Sequence, residues 1–386
     1  MKKKRARDAG IKIGHLPTGP NNAITDVGNV CVGHATIVRG EGPLVVGEGP
    51  VRTGVTVGSP HEGLTRDDTV FAGAHRLNGN GEMTGLEWVR EAGVLTTPVA
   101  ITNTHSVGVV RDALISVELE ARAEEDDYWY LPVVAETFDG TLNDINGQHV
   151  TADHVREALA DARGGPVTEG SVGGGTGMIC HGFKGGIGTS SRHLSEEEGG
   201  WTVGALVQTN YGRRSMLRVD GAPVGRVLTT EVVPAPVEGQ EPPVEKGSII
   251  VILATDAPLL PHQCERLAQR ASIGLGRMGG GCENGSGDIF LAFATGNDGI
   301  TRAGLSELPA TMPLQMIPNE RMTPLFYAAA EATEEAILNA LLAADTVTGR
   351  DGITAHGLTP DLLLGALEEA RSLIVSGEAG PEVRRT

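Results

Sequence analysis

The chain reads as an α/β fold of the α+β kind, with buried sheets covered by helices. Three observations predict it. Several strand-length segments are continuously apolar rather than alternating, which marks strands buried on both faces. Longer segments open on helix-start signals and close at glycines. Glycine supplies 55 of 386 residues, about twice the usual ~7%, so tight turns and close backbone approaches are numerous.

In chain order, Thr84-Gly85-Leu86-Glu87 has capping-box spacing and predicts a short helix ending near Gly93. PVAIT at 98–102 and LPVVA at 131–135 predict strands. Thr151 opens a helix that runs to Arg163 and closes at Gly164-Gly165. VGALVQT at 203–209 and SIIVILA at 248–254 are the next strands, and IFLAFA at 289–294 the last. Pro261 opens a helix to about Ser272. Thr323-Pro324 and Thr359-Pro360 each set a cap residue before a proline at the first helical position, and the first of them opens the longest helix, to about Ala344. Helices must cover these sheets, or the sheets must stack on each other with helices outside. No internal repeat is present.

Composition removes whole classes of function. Thirty-one basic against 49 acidic side chains leave a net charge of −18, which repels phosphate backbones and anionic membranes. Aromatics are 3% of the chain, too few for base-stacking platforms. No nucleic-acid or membrane partner is expected, and no apolar run is long enough to span a bilayer. Lys2-Lys3-Lys4-Arg5 could open a signal peptide, yet Asp8, Lys12, His15 and Pro17 interrupt any apolar segment after it, so a cytoplasmic location is expected. Cys31, Cys180, Cys264 and Cys282 form no Cys-x-x-Cys pair and read as buried free thiols of a reducing compartment. The eleven histidines show no metal-ligand spacing, so neither a metal nor an organic cofactor is expected.

Four motif-like stretches fail on context. Gly274-Leu-Gly276-Arg-Met-Gly279 matches a dinucleotide fingerprint but follows a helix instead of a strand, and reads as a helix C-terminus and turn. Gly173-Gly-Gly-Thr176 lacks the Gly-Lys-Ser/Thr of a phosphate loop and reads as a close-packed turn. Thr104-His-Ser106-Val-Gly108 has Thr where a nucleophile elbow needs Gly. His61-Glu62 lacks the second His of a zinc protease.

The informative break lies at 233–246, where four prolines and three glutamates exclude helix and strand interior and predict an exposed, extended linker. It ends at Gly247-Ser248, and Ser248 heads an apolar strand. Cleavage before Ser248 would give one residue both a hydroxyl nucleophile and an α-amine. An α-amine with a pKa of about 7.7–8.0 suits a general base at neutral pH. An N-terminal Ser or Thr can thus act without a His–Asp pair. Gly247 has no side chain to obstruct attack on its carbonyl. Taken alone, the junction also fits an ordinary strand entry.

Eight segments raise the first reading: 19–26 (GPNNAITD), 77–93 (LNGNGEMTGLEWVREAG), 101–108 (ITNTHSVG), 134–147 (VAETFDGTLNDING), 173–192 (GGGTGMICHGFKGGIGTSSR), 203–214 (VGALVQTNYGRR), 246–258 (KGSIIVILATDAP) and 284–295 (NGSGDIFLAFAT). In this order, nearly end to end, the chain resembles the DmpA-like N-terminal-nucleophile aminopeptidases, which include L-aminopeptidase/D-amidase/D-esterase enzymes and β-peptidyl aminopeptidases. The resemblance implies a four-layer αββα sandwich formed by a single domain over 1–386. It also implies self-cleavage into a large chain, 1–247, and a small chain, 248–386, that stay associated, and a homo-oligomer of processed protomers. It makes Ser248 the nucleophile, Asn210 the oxyanion donor, and Ser286 with Asp288 the pair that assists Ser248 and orients its amine. Relatives of the β-aminopeptidase branch carry Glu at that last place, so Asp288 is one carbon shorter and its contact is expected to be indirect. Glu136 becomes the anchor for the substrate's free amine. Phe138 stands where relatives can carry Tyr, and is assigned only as an aromatic wall of the pocket. The expected activity is release of an N-terminal residue from a short peptide, amide or ester through an acyl-enzyme. Two alternatives are an acyltransferase like the ornithine acetyltransferases, against which a Ser nucleophile in place of Thr argues, and a binding protein that never processes.

Overall fold

Two large sheets, two two-stranded ribbons and six α-helices make up the regular structure of the described residues. The structure is a computed structural model and describes residues 5–122, 129–237, 247–297, 299–300 and 310–376. Of the expected linker, residues 238–246 lie outside the described residues.

In chain order the principal elements are β1 (Cys31–Arg39), β2 (Val51–Ser59), β3 (Val70–Arg76), α1 (Leu86–Ala92), β4 (Val94–Leu95), β5 (Val99–Asn103), α2 (Val107–Ala121), β6 (Val133–Thr137) and α3 (Ala152–Asp161). There follow β7 (Ile179–Cys180), β8 (Phe183–Lys184), β9 (Gly186–His193), β10 (Thr202–Asn210), β11 (Ser248–Thr255), α4 (Pro261–Arg277), β12 (Gly287–Ala294), α5 (Thr323–Ala343) and α6 (Pro360–Ser376). One sheet has the order β1-β2-β5-β6, the other β4-β3-β12-β11-β10-β9. Pairing is antiparallel except for β5 with β6 and β11 with β12. Parallel neighbours need a long crossover; α2 supplies one and α4 the other.

Strand alternation sorts the core. On β11, Ile250 and Ile252 face Val99, Ile101 and Val133 of the other sheet, together with Leu206, Ile289 and Leu291. Ile249, Val251 and Leu253 pack instead with Leu267 and Ala271 of α4 and with Ala336 and Leu341 of α5. A third apolar cluster joins Ala35, Val55, Val57, Ala100 and Val134 to Val110 and Leu114 of α2 and to Val155 and Ala158 of α3. β11 is therefore buried on both faces, as its unbroken apolar run requires.

Several expectations change. The Thr84 capping box does not form: α1 starts after Gly85 at φ +73°, and Thr84 Oγ1 instead donates to Pro132 O and accepts the Val134 N–H. α4 runs past Ser272, so the first two fingerprint glycines, Gly274 and Gly276, lie inside it. A Cβ at Gly274 would sit 2.6 Å from Ala330 O, so this glycine lets α4 and α5 approach. The helix does end where the turn was expected, at Met278 with Gly279 at φ +89°. Gly173–Gly175 forms a buried turn, as expected. Three cysteines are buried, but Cys282 is exposed.

Candidate active site

The start of β11 is set between two strand ends. In the ladder Ser248 lies opposite Asn210, the last residue of β10, and beside Gly287, the first of β12. Ser248 is 4% exposed. Its Oγ–H donates to the carbonyl oxygen of Gly247 at 2.6 Å, and the Gly287 N–H donates to the same oxygen at 3.0 Å. Two donors thus polarise the carbonyl that Ser248 would attack. A Cβ at Gly247 would lie 3.3 Å from Ser286 Oγ, which places the Ser286 hydroxyl beside the junction.

Ser286 Oγ donates to Asp288 Oδ1 at 2.6 Å, and Asn78 Nδ2 donates to Oδ2 at 2.7 Å. Burial pushes the Asp288 carboxyl above the ordinary Asp range, opposed by those two hydrogen bonds. The Asp288 carboxylate reaches Ser286 directly.

Asn210 is held at both ends of its amide. The Ile179 N–H donates to Oδ1 at 2.9 Å, and Nδ2 donates to Phe138 O at 2.9 Å. A backbone donor on one side and a carbonyl on the other fix which atom is nitrogen. A primary amide has a second N–H to offer. The half-buried Phe138 touches this group through its backbone carbonyl. Its ring covers Gly140, where a Cβ would lie 2.4 Å from the ring.

Glu136 stands in β6, in the facing sheet, and is 4% exposed. It accepts the Glu82 N–H on Oε1 at 3.0 Å and the Thr104 hydroxyl on Oε2. Burial raises its pKa, against the lowering effect of those bonds. Gly81 links it to the strand ends: a Cβ there would lie 3.1 Å from Glu136 Oε1 and 3.1 Å from Gly287 Cα. The segment 77–83 therefore lies between the carboxylate and the β12 end, pinned there by Leu77 N–H to Asp288 O and Asn80 N–H to Ser286 O.

All seven residues expected from the sequence map to this region. Reading the sequence misses the Gly287, Ile179 and Glu82 backbone donors, because no side chain announces them. It also passes over Asn78 and Thr104, although both sit in segments that carry the resemblance. Among the described residues no cluster of three or more His, Cys, Asp or Glu could hold a metal ion, and no helix is long and apolar enough to cross a membrane. Chemically, the group offers a hydroxyl against a polarised carbonyl, a hydroxyl–carboxylate pair beside it, an amide donor opposite, and a buried carboxylate at a short remove.

Comparison with known proteins gives this arrangement its context. The model of peptidase family S58 matches residues 22–355. A β-peptidyl aminopeptidase, BapA of Sphingosinicella microcystinivorans, is 49% identical over 378 residues, covering 96% of this chain and 93% of that protein. A β-aminopeptidase of Burkholderia sp. superposes with a TM-score of 0.88 at 58% identity, covering 95% of this chain and 99% of that one. The L-aminopeptidase D-Ala-esterase/amidase of Ochrobactrum anthropi, described as a serine aminopeptidase and a variant of the Ntn hydrolase fold, gives 0.85 at 43% identity over 95% of this chain and 99% of that one. A non-catalytic binding role has no support among these relatives. With a family match over residues 22–355 and its mixed α/β fold, this chain belongs to peptidase family S58, the DmpA-like aminopeptidases, and is an enzyme of that class.

Proposed function

We propose that the chain is a self-processing serine aminopeptidase whose nucleophile is Ser248. The observation that carries this reading is the Gly247 carbonyl, held by the Gly287 N–H and touched by the Ser248 hydroxyl at the head of a buried strand. In maturation Ser248 Oγ adds to the Gly247 carbon. The C–N bond breaks as the nitrogen takes a proton, leaving an ester to Ser248 and a free α-amine. Water hydrolyses the ester, giving the Gly247 carboxylate and the regenerated hydroxyl. The single domain 1–386, a four-layer αββα sandwich in this reading, then consists of chains 1–247 and 248–386.

Turnover repeats the second half with a new acyl group. The Ser248 amine, oriented by Ser286 and Asp288, takes the hydroxyl proton as Oγ attacks the substrate carbonyl. The second N–H of Asn210 meets the oxyanion, a contribution of about 3–4 kcal/mol for such a donor. The leaving amine departs with the proton, and water resolves the acyl-enzyme. Glu136 holds the substrate's ammonium. Substrates are short peptides, amides or esters with a free amine, and likeness to β-peptidyl aminopeptidases favours acyl groups whose amine lies one carbon farther from the carbonyl. The base must be neutral, so kcat/KM rises with pH through the amine's pKa, about 7.7–8.0 when unperturbed.

Mass spectrometry of purified protein tests this. The expected result is a small chain that begins at Ser248 without any added protease, and a Ser248→Ala chain that stays full length and inactive. A Ser248→Ala protein cut at the same bond would overturn the nucleophile assignment.

A further inference from the structure

Lys184, at the end of β8, is fully buried. Its Nζ donates to three backbone carbonyls: Gly175 at 3.1 Å, Met178 at 2.9 Å and Gly185 at 2.8 Å. Three acceptors call for three N–H donors, which only the ammonium form supplies. The site inside the turn that follows Gly173–Gly175 is therefore built for a positive charge. The Met178 carbonyl and the Ile179 N–H belong to one peptide unit. That N–H donates to Asn210 Oδ1 at 2.9 Å, and Asn210 Nδ2 faces Phe138 O at 2.9 Å. Ammonium, peptide and side-chain amide thus stand in one hydrogen-bonded line.

We propose that Lys184 is a positioning residue that polarises Asn210 through peptide 178–179, making the amide's remaining N–H a better and better-fixed donor to the oxyanion. The physical basis is ordinary. A cation on a peptide oxygen draws charge from its nitrogen and strengthens the N–H as a donor. An amide that accepts such a bond becomes a stronger donor in turn. The line is buried, where little solvent screens it, and cooperative strengthening of about 10–30% per bond is reasonable. The inference rests on the reading of Asn210 as the oxyanion donor. A lysine that merely props the glycine turn would act on stability without regard to Asn210, and that difference is measurable.

The test is a double-mutant cycle on the processed enzyme, with turnover of a free-amine amide counted per titrated active site. Asn210→Ala alone is expected to lower kcat by about 10²–10³-fold. Lys184→Met alone should lower kcat by roughly two- to eight-fold, that share of the donor's effect, with KM within about two-fold of the parent. In the Asn210→Ala background the same lysine change should alter kcat by less than about 1.5-fold. An equal loss in both backgrounds, a loss confined to KM, or no loss at all would overturn the proposal. An Asn210→Ala enzyme with the parent's kcat would instead overturn the oxyanion assignment itself, a separate outcome. Should Lys184→Met yield no folded protein, Lys184→Gln, which keeps N–H donors but no charge, runs the same cycle with the same expectations.

Discussion

Glu136 keeps a carboxylate at a place nearly closed to water, with burial working against its charge and two donors working for it. If Glu136 is the anchor proposed above, a substrate ammonium arriving there would complete the neutralisation through a charge-assisted bond. Removing one partner of such a pair costs about 2–5 kcal/mol, roughly 30- to several-thousand-fold. Glu136→Gln should therefore lower kcat/KM on free-amine amides by that range, N-acetylated substrates should be nearly inert, and cleavage before Ser248 should proceed, since maturation presents no ammonium. Steady-state kinetics with a free and an acetylated amide decide the matter: parent activity in the matured mutant would remove Glu136 as anchor. Three residues on, Asp139 is a different case. It is fully buried, Asn143 donates to Oδ1, and burial pushes the pKa up to about 7 from 3.8, against the lowering effect of hydrogen bonds from Thr53, Asn143 and Asn103. The folded state thus holds a proton that the unfolded chain has lost, so stability falls as pH rises from about 4 to about 7, by up to ~1.4 kcal/mol per pH unit for one proton. Asp139→Asn, neutral throughout, should flatten that fall, leaving any slope from the similarly raised Glu169 in place. Unfolding midpoints of both proteins at pH 4, 5, 6 and 7 give the comparison, and parallel curves would refute it. Both carboxylates lay in one segment of the resemblance, Val134–Gly147, yet the sequence distinguished only Glu136. Burial separates the two roles, and burial comes from strands far along the chain.

Elements were legible where their own residues explain them. The continuously apolar strands β5, β6, β10, β11 and β12 and the proline-opened helices were visible because each carries its reason locally. β9 was not. Gly186-Ile-Gly-Thr-Ser-Ser-Arg-His reads as polar, yet all but the last residue are buried. Its polar groups are met by distant partners: Arg192 Nε donates to Glu331 Oε2 at 3.0 Å and Nη2 to Glu335 Oε2 at 2.8 Å, both on α5, and Asn22 Oδ1 accepts from Ser190. No window of sequence shows that a strand and a helix roughly 140 residues apart cancel each other's charge. α2 was missed for a local reason, since it opens on Val-Gly-Val-Val, which favours a strand until the helix-forming stretch beyond it is counted. The β9–α5 seam makes a sharp prediction. Arg192→Leu leaves the Glu331 carboxylate without its cation, while Glu335 keeps Arg7 at 2.9 Å, and breaking such a buried pair from one side costs about 3–5 kcal/mol. Urea unfolding should show that loss, whereas a change below about 1 kcal/mol would belong to a surface pair and contradict the seam.

Across the whole molecule, the proposed cut falls at the middle of the six-stranded sheet. β11 and β12, of the 248–386 piece, lie between β3 on one side and β10 on the other, both of the 1–247 piece. Neither piece can leave without breaking two ladders and exposing both apolar faces of β11. The two chains should therefore co-elute through native size exclusion and part only in denaturant; separation in dilute buffer would contradict the topology. None of this interleaving could be read from the sequence, because strand order in a sheet is set by pairings between distant segments. It also changes what kind of folding problem the protein poses. An uncut chain finds its sheet as a single molecule, at a rate indifferent to dilution. Once cut and unfolded, it must reassemble by collision, so recovery slows with dilution and competes with aggregation of the exposed strands. Processing as proposed would thus give the fold a history: the uncut Ser248→Ala chain should keep its refolding yield on dilution, while a cut enzyme, once lost, is one that only a crowd of its own halves can rebuild.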